Sequence, residues 1–107
     1  MSEPIVATTA NFDQIVADAQ GPVIVDFWAP WCGPCRQVAP VLDQMSEAHE
    51  NLSIVKVNVD DEPDLAMKFR ITSIPALKLF SNGEVVKEVV GAYPRAALEK
   101  QFADYLS

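Results

Sequence analysis

Short apolar runs alternate along the chain with segments of helical periodicity. Residues 23–28 and 52–59 are rich in β-branched side chains and place apolar residues on both alternating faces, as strands buried on both sides of a sheet do. Between these runs, apolar residues keep helical spacing over residues 35–49, with Pro40 inside the pattern predicting a kink. Because a helix joins the two runs, we expect parallel central strands with a right-handed connection.

The N-terminal part of the chain predicts one further strand and one further helix. Residues 5–6 form a short apolar pair that fits an edge strand. Asn11 and Gln14 then have the spacing of a capping box, in which each side chain bonds the other's backbone N–H. The helix that they open should end by Gly21-Pro22.

The C-terminal half predicts a short helix, a hairpin and a last helix. Pro63 opens the short helix, and residues 76–80 and 85–90 form two strands around the turn dipeptide Asn82-Gly83. Pro94 fits the first turn of the final helix. The element order is therefore βαβαβαββα, and the predicted fold class is α/β, with a central mixed five-stranded sheet flanked by four helices.

Composition favours a globular domain and argues against nucleic-acid binding. The 107 residues are 50% hydrophobic and 21% charged, so we expect a single domain over residues 1–107 that buries its own core. With 8 basic and 15 acidic residues, the net charge of −7 would repel a nucleic-acid backbone. No signal-like leader or membrane-length apolar stretch is present in the sequence, which predicts a cytoplasmic protein without a membrane partner.

The chain has two cysteines, Cys32 and Cys35, and they lie immediately after the apolar run 23–28. A disulfide that closes so small a ring stabilises a fold by roughly 2 kcal/mol, against about 4.7 for a loop of a hundred residues. In a reducing cytosol, such a pair is catalytic or metal-binding more often than structural. The spacing therefore favours reversible redox chemistry over a structural staple.

The position of the pair predicts different roles for its two thiols. At a strand-to-helix junction, Cys32 stands at the helix N-terminus, where free N–H groups and the helix dipole stabilise a thiolate nucleophile. Cys35, deeper in the helix, would be the resolving thiol. Pro34 stiffens the first turn without losing a hydrogen bond, and Gly33 lets a substrate backbone come close. Half of a zinc site is the alternative, but it lacks the further cysteines and histidines that such a site requires.

Two charged residues interrupt otherwise apolar strands. Burial would raise the pKa of Asp26, so that its carboxylate could take the proton from Cys35; alternatively, Asp26 faces solvent or caps a loop. Lys56 lies on the neighbouring strand, where it either contacts Asp26 or extends to the sheet edge. His49, the single histidine, is expected in water near a helix end, without a role in the chemistry.

Taken together, these positions resemble the thioredoxin family over the whole chain. The resemblance is carried by the segment DFWAPWCGPCR at residues 26–36, together with Pro40, Lys56, Ile74-Pro75, Asn82-Gly83 and Gly91. It implies the thioredoxin fold and a general protein-disulfide reductase that maintains cytosolic redox homeostasis. It also implies no cofactor bound to the chain. Electrons would come from NADPH through a flavoprotein thioredoxin reductase, and the other partners would be disulfide-containing substrate proteins.

The same resemblance implies a docking face around Cys32. The Ile74-Pro75 bond is expected to be cis and to face the cysteines, and Trp28 to pack in the core while shaping the active-site loop. The expected docking face is flat and apolar and consists of Trp31, Gly33, Pro34, Ile74, Pro75, Gly91 and Ala92. A monomer is expected, because a dimer built on this face would obstruct Cys32.

Three positions depart from the pattern common in the family. Ser73 and Ala76 stand where Gly and Thr are frequent, which affects partner preference and redox potential more than the reaction. Phe69 replaces a common Tyr, which we interpret as a packing change. Two other functions stay open: an oxidase or isomerase on the same fold, and a binding module whose redox loop only docks a partner.

Overall fold

The computed structural model describes residues 3–106 and confirms the predicted element order. Within these residues, five strands form one sheet in the order β1-β3-β2-β4-β5. The elements are β1 (Ile5–Val6), α1 (Phe12–Asp18), β2 (Val23–Trp28), α2 (Gly33–Ala48), β3 (Ser53–Asn58), α3 (Pro63–Lys68), β4 (Ala76–Ser81), β5 (Glu84–Val90) and α4 (Arg95–Leu106).

The sheet is mixed, as the alternation of elements predicts. Strand β3 pairs in parallel with β1 on one side and with β2 on the other. Strand β4 is antiparallel to both β2 and β5. In this register Asp26 on β2 lies between Lys56 on β3 and Leu77 on β4. The central strand therefore has hydrogen-bonded neighbours along both edges.

Helices cover both faces of the sheet. On one face, α1 and α3 bury apolar side chains against alternate residues of β2, including Val25 and Phe27. Four aromatic rings meet there, with centroids 5.3 to 5.8 Å apart, namely Phe12, Phe27, Phe69 and Phe80. On the other face, α2 and α4 pack against Ile24 and Leu77 through Leu42 and Phe102. None of the helices in residues 3–106 is long and apolar enough to cross a membrane.

The β4–β5 hairpin turns at the dipeptide that the sequence indicates. Asn82 has φ of 53° and Gly83 has φ of 82°, both in the left-handed region. Two successive residues with positive φ match the twist of a two-residue hairpin, and Asn and Gly tolerate that conformation best. The hairpin prediction is confirmed.

The predicted capping box at the start of α1 is wrong. Asn11 occupies the N-cap position, but its side chain makes no cap hydrogen bond and its Oδ1 accepts from the N–H of Thr8, at 2.7 Å. Gln14 donates to Asp18 at 2.8 Å instead of reaching back. Because the Asn side chain bonds the preceding turn, α1 begins without the reciprocal pair.

His49 is half-buried and not free in water, which corrects the expectation for this residue. Its Nε2 lies 2.6 Å from Oε1 of Glu99 on α4, and Arg95 holds the other oxygen of that carboxylate at 3.1 Å. These contacts lower the pKa of Glu99, although its burial acts in the opposite direction. The end of α2 is thus tied to α4 by a polar contact.

Gly21 lies where the chain passes close to another backbone segment. A Cβ atom at this position would stand 2.5 Å from the carbonyl oxygen of Asn51. We expect Gly21→Ala to lower the free energy of unfolding by about 1–3 kcal/mol, because the backbone must shift to relieve the overlap. Urea unfolding of the oxidised protein measures this change.

Gly33→Ala is the matched control, since a Cβ there meets nothing within 4 Å. Its free energy of unfolding should stay unchanged or rise slightly, because Ala favours helices over Gly. Equal losses in the two variants would contradict the close approach at Gly21.

Candidate active site

The site forms where β2 passes into α2. Cys32 is the N-cap residue of α2, and Pro34 occupies the first turn, where its missing N–H has no intrahelical acceptor. The Cys32 Sγ accepts the backbone N–H of Cys35 at 3.2 Å, in the place that a Ser or Asp oxygen takes at other helix starts. A disulfide joins the two residues, whose Cα atoms are 5.3 Å apart. The sulfur of Cys32 therefore lies at the positive end of the helix.

Backbone and side-chain contacts hold the loop before α2. The N–H of Cys32 donates to the carbonyl oxygen of Ala29 at 3.1 Å. The guanidinium of Arg36 reaches back from the first turn of α2 and donates to the carbonyl oxygen of Pro30 at 2.7 Å. The loop is thus closed on itself and positions Cys32 at the end of the strand.

In this disulfide state the two cysteines are equally buried. Cys32 is 4% exposed and Cys35 is 3% exposed, so the expected difference in depth is absent. Both pack with Ala29, and the half-buried Trp28 packs against this cluster. What distinguishes the two thiols is their position: Cys32 is the N-cap residue and Cys35 lies inside the helix.

The start of β4 faces the disulfide from the neighbouring chain segment. The Ile74-Pro75 peptide bond is cis, and the Ile74 carbonyl oxygen is 3.9 Å from the Cys32 Sγ. The Pro75 carbonyl accepts the N–H of Gly91 at 2.8 Å, which brings the end of β5 to the same place. The segment before β4 therefore borders the disulfide, and the end of β5 is held against that segment.

Most of the expected docking residues are at least partly exposed. Trp31 is 68% exposed, Gly33, Pro34 and Ala92 are exposed, and Ile74 and Gly91 are half-buried. Pro75 is buried and so contributes to the support of this face more than to its surface.

Trp31 is held by a residue that the sequence analysis missed. Its indole N–H donates to the two carboxylate oxygens of Asp60 at 3.0 and 3.2 Å. Asp60 follows the end of β3, and the sequence analysis assigns it no role. Its role could have been suspected from the parallel pairing of β2 and β3, which places the ends of both strands at one edge.

Asp26 is fully buried, so the alternative that it faces solvent is wrong. It is 0% exposed, and neither carboxylate oxygen has a hydrogen-bond partner within residues 3–106. The Lys56 Nζ is 3.8 Å from Oδ2 of Asp26 and 4.9 Å from the centre of the Trp28 ring. The Lys56 side chain is 22% exposed, so it links the buried carboxyl to the surface.

Burial sets the protonation of Asp26. Loss of water around the carboxyl raises its pKa from 3.8 to about 6, while the Lys56 ammonium acts in the opposite direction. Asp26 alternates along β2 with Ile24 and Trp28, so the three share the sheet face that α2 covers. A carboxyl that titrates near neutrality thus lies beneath the helix that carries both cysteines.

Within residues 3–106, no three His, Cys, Asp or Glu side chains form a group that could hold a metal ion. The further ligands that the zinc alternative requires are therefore not brought to the cysteines.

The thioredoxin family profile matches residues 3–104 of this chain. The chain belongs to the thioredoxin family. Thioredoxin of Porphyra purpurea is 48% identical over 101 residues, 94% of each chain, and thioredoxin 1 of Nostoc sp. strain PCC 7120 is 46% identical over 107 residues, 99% of this chain and 100% of its own. A solved structure of Plasmodium falciparum thioredoxin is 36% identical and superposes with a TM-score of 0.86, covering 94% of this chain and 98% of that one. The fold is thus the thioredoxin fold, and the chain is a thiol-disulfide oxidoreductase.

The burial of Asp26 makes stability depend on pH in a defined direction. Its pKa is higher in the folded thioredoxin than in the unfolded chain, so the folded state binds the proton more tightly. The contribution of Asp26 to stability is therefore fully present below pH 4 and is lost as the pH rises through about 6. We expect Asp26→Asn to be more stable than the parent by about 3 kcal/mol at pH 8, with the difference vanishing near pH 4.

Urea unfolding of the oxidised protein between pH 4 and pH 8 measures this difference. Asp104→Asn is the control, because Asp104 is an exposed carboxyl on α4, and it should change stability by less than about 0.5 kcal/mol at every pH. A stability difference for Asp26→Asn that is constant with pH would refute the assignment.

Proposed function

We propose that this thioredoxin is a general protein-disulfide reductase that maintains the dithiol state of cytoplasmic proteins. The observation that supports it most is the Cys32–Cys35 disulfide at the start of α2, placed against the cis-Pro segment and bordered by an exposed apolar face. Such a site stabilises the attacking sulfur and places it beside a surface on which a partner can dock.

The first step is attack by the Cys32 thiolate on a substrate disulfide. A bond forms between the Cys32 Sγ and one substrate sulfur, the substrate S–S bond breaks, and the other substrate sulfur leaves as a thiolate that takes a proton. The helix N-terminus favours the charged form of Cys32. The product of this step is a mixed disulfide with the substrate.

In the second step, Cys35 resolves the mixed disulfide. Its thiol loses a proton, attacks the Cys32 Sγ and forms the Cys32–Cys35 disulfide, while the second substrate sulfur leaves as a thiolate. Two electrons have then passed to the substrate. Asp26 is the proposed proton acceptor for Cys35, because its pKa of about 6 lets it take up a proton near neutral pH. Lys56 would tune that pKa and connect the carboxyl to solvent.

Substrate docking is assigned to the face around Cys32. Trp31, fixed by Asp60, would present its indole ring to a partner, and Gly33 would let the partner backbone approach. The Ile74 backbone beside Cys32 would bond an extended substrate segment in the manner of an added strand. Pro34, Gly91 and Ala92 would complete the face. The buried Pro75 would support it, and Trp28 would support the loop from below.

The proposed electron source is NADPH, passed on by a flavoprotein thioredoxin reductase. That enzyme and disulfide-containing substrate proteins are the proposed partners, and no cofactor is assigned to the chain itself. Residues 1–107 would act as one thioredoxin domain. We propose a monomer in the cytoplasm, because access to Cys32 requires its face to be uncovered.

The division of labour between the thiols can be tested by trapping. Cys35→Ser should accumulate a one-to-one mixed disulfide with a disulfide-bonded protein, because the resolving sulfur is missing. Cys32→Ser should accumulate none, because the attacking sulfur is missing. Mass spectrometry of acid-quenched, alkylated samples measures the adduct, and reduction by dithiothreitol controls for its linkage. Normal turnover by the Cys35→Ser variant would refute these roles.

The direction of electron flow can be tested by the equilibrium reduction potential of the cysteine pair. Thiol labelling in defined dithiol buffers should give a value more negative than about −250 mV, toward the reducing end of the range for such proteins. A value between about −120 and −180 mV would indicate an oxidase or isomerase instead.

Full partner binding by a Cys32→Ser/Cys35→Ser double variant, with no loss of cellular function, would favour the binding-module alternative.

A further inference from the structure

A groove runs beside the proposed docking face, along the outer side of β5. It has a volume of about 330 Å³ and lies between the end of β5 and α4. Its lining consists of Glu88, Val89, Val90, Tyr93, Ala97 and Gln101. Within residues 3–106, β5 is the last strand of the sheet, so no further strand of this chain covers its outer edge.

Tyr93 lies between this groove and Gly91, a residue of the proposed docking face. It lies two residues after Gly91, whose N–H donates to the carbonyl oxygen of Pro75 at 2.8 Å. Its ring is 3.2 Å from the place that a Cβ atom of Gly91 would occupy, so the ring covers the glycine backbone. Gly91 also has φ of 115°, a conformation that L residues rarely adopt. The bare backbone of Gly91 thus lets the aromatic ring lie directly next to the docking face.

The apolar surface at this position is exposed. Tyr93 is 47% exposed and Val90 is 46% exposed, although Val89 beside them is buried. The Tyr93 hydroxyl makes no hydrogen bond to another side chain or backbone group within residues 3–106. An aromatic ring with a free polar end is well suited to contact a partner, because it buries a large area while losing little conformational entropy.

We propose that Tyr93 is a specificity-determining residue that extends the docking face into this groove. The occupant would be an extended, apolar segment of the substrate protein, next to its reacting disulfide in sequence, lying along the outer edge of β5. Continuity supports this assignment: the docking face ends at Gly91 and Ala92, and the groove begins at Tyr93. The free strand edge supplies backbone groups that an extended chain can bond. This proposal rests on the disulfide-reductase function proposed above.

The test compares a large substrate with a small one. The parent protein and the variants Tyr93→Ala and Tyr93→Phe, each re-reduced by NADPH and a thioredoxin reductase, are assayed on a disulfide-bonded protein, insulin, and on the aromatic disulfide 5,5′-dithiobis(2-nitrobenzoate). We expect Tyr93→Ala to lower the ratio of kcat/KM for insulin to kcat/KM for the small disulfide by about tenfold, as loss of an aromatic interface anchor does. The loss should lie mainly in KM for insulin, and Tyr93→Phe should restore most of the ratio.

Val85→Ala is the matched control, because Val85 is a 42% exposed residue at the opposite end of the same strand. Its substrate ratio should equal that of the parent. If Tyr93→Ala and Val85→Ala are both active and have the same ratio of kcat/KM for insulin to kcat/KM for the small disulfide, the proposed role of Tyr93 is wrong. The proposed reductase function would not be affected by that result. Failure of the parent to reduce either disulfide would instead overturn the proposed function.

A second measurement identifies the occupant of the groove. In the mixed disulfide trapped by Cys35→Ser, hydrogen exchange at residues 88–93 should be slower than in the free variant. Unchanged exchange there would refute occupation by a substrate segment. Concentration-dependent dimerisation that Tyr93→Ala abolishes would assign the groove to a second copy of the chain and refute the proposal as well.

Discussion

The site depends on the burial of β2 at the centre of the sheet. Five of its six residues are buried and only Trp28 is partly exposed, so the strand is fixed by packing on both faces and by pairing along both edges. Where it ends, the parallel β3 ends beside it and the antiparallel β4 begins. The N–H of Val59, after β3, donates to the Trp28 carbonyl at 2.9 Å. The parallel and antiparallel neighbours together therefore bring Asp60 and the cis-Pro segment to the cysteines.

The burial of β2 also places the carboxyl of Asp26 where its ionisation lowers stability. Asp26 has no hydrogen-bond partner in the described structure, and Lys56 at 3.8 Å is too far for a hydrogen bond, although its charge still acts on the carboxyl. An unpartnered ionised carboxylate in such a place is unfavourable, so the proton is held more tightly than in water. The raised pKa of Asp26 reduces stability at high pH. In the proposed mechanism, the same raised pKa lets the carboxylate accept a proton near neutrality.

The local pattern predicted the elements well, since strands and helices follow from short-range periodicity and from turn residues such as Asn82-Gly83. The cysteine pair and its position were also predictable, because a three-residue separation lies within a single helical turn. The Asp26–Lys56 contact could be anticipated because both charges interrupt adjacent central strands. The Trp31–Asp60 contact could likewise have been suspected from the parallel pairing of β2 with β3. The His49–Glu99 contact joins residues 50 positions apart at the end of α2 and on α4, and no local pattern encodes how these two helices pack.

The two departures from the family pattern beside the cis-Pro bond differ in what they can influence. Ala76 is 1% exposed and lies between Phe27 and Val90 in the sheet, so its missing hydroxyl concerns packing and cannot reach a partner. Ser73 is exposed and lines a groove of about 330 Å³ with Trp31 and other residues between α3 and Ile74. The side chains to which the proposed docking function assigns partner preference thus lie on the surface beside the disulfide, whereas the groups proposed to tune proton transfer lie beneath it. Changes in one set can occur without changes in the other, as the proposed general disulfide reductase requires.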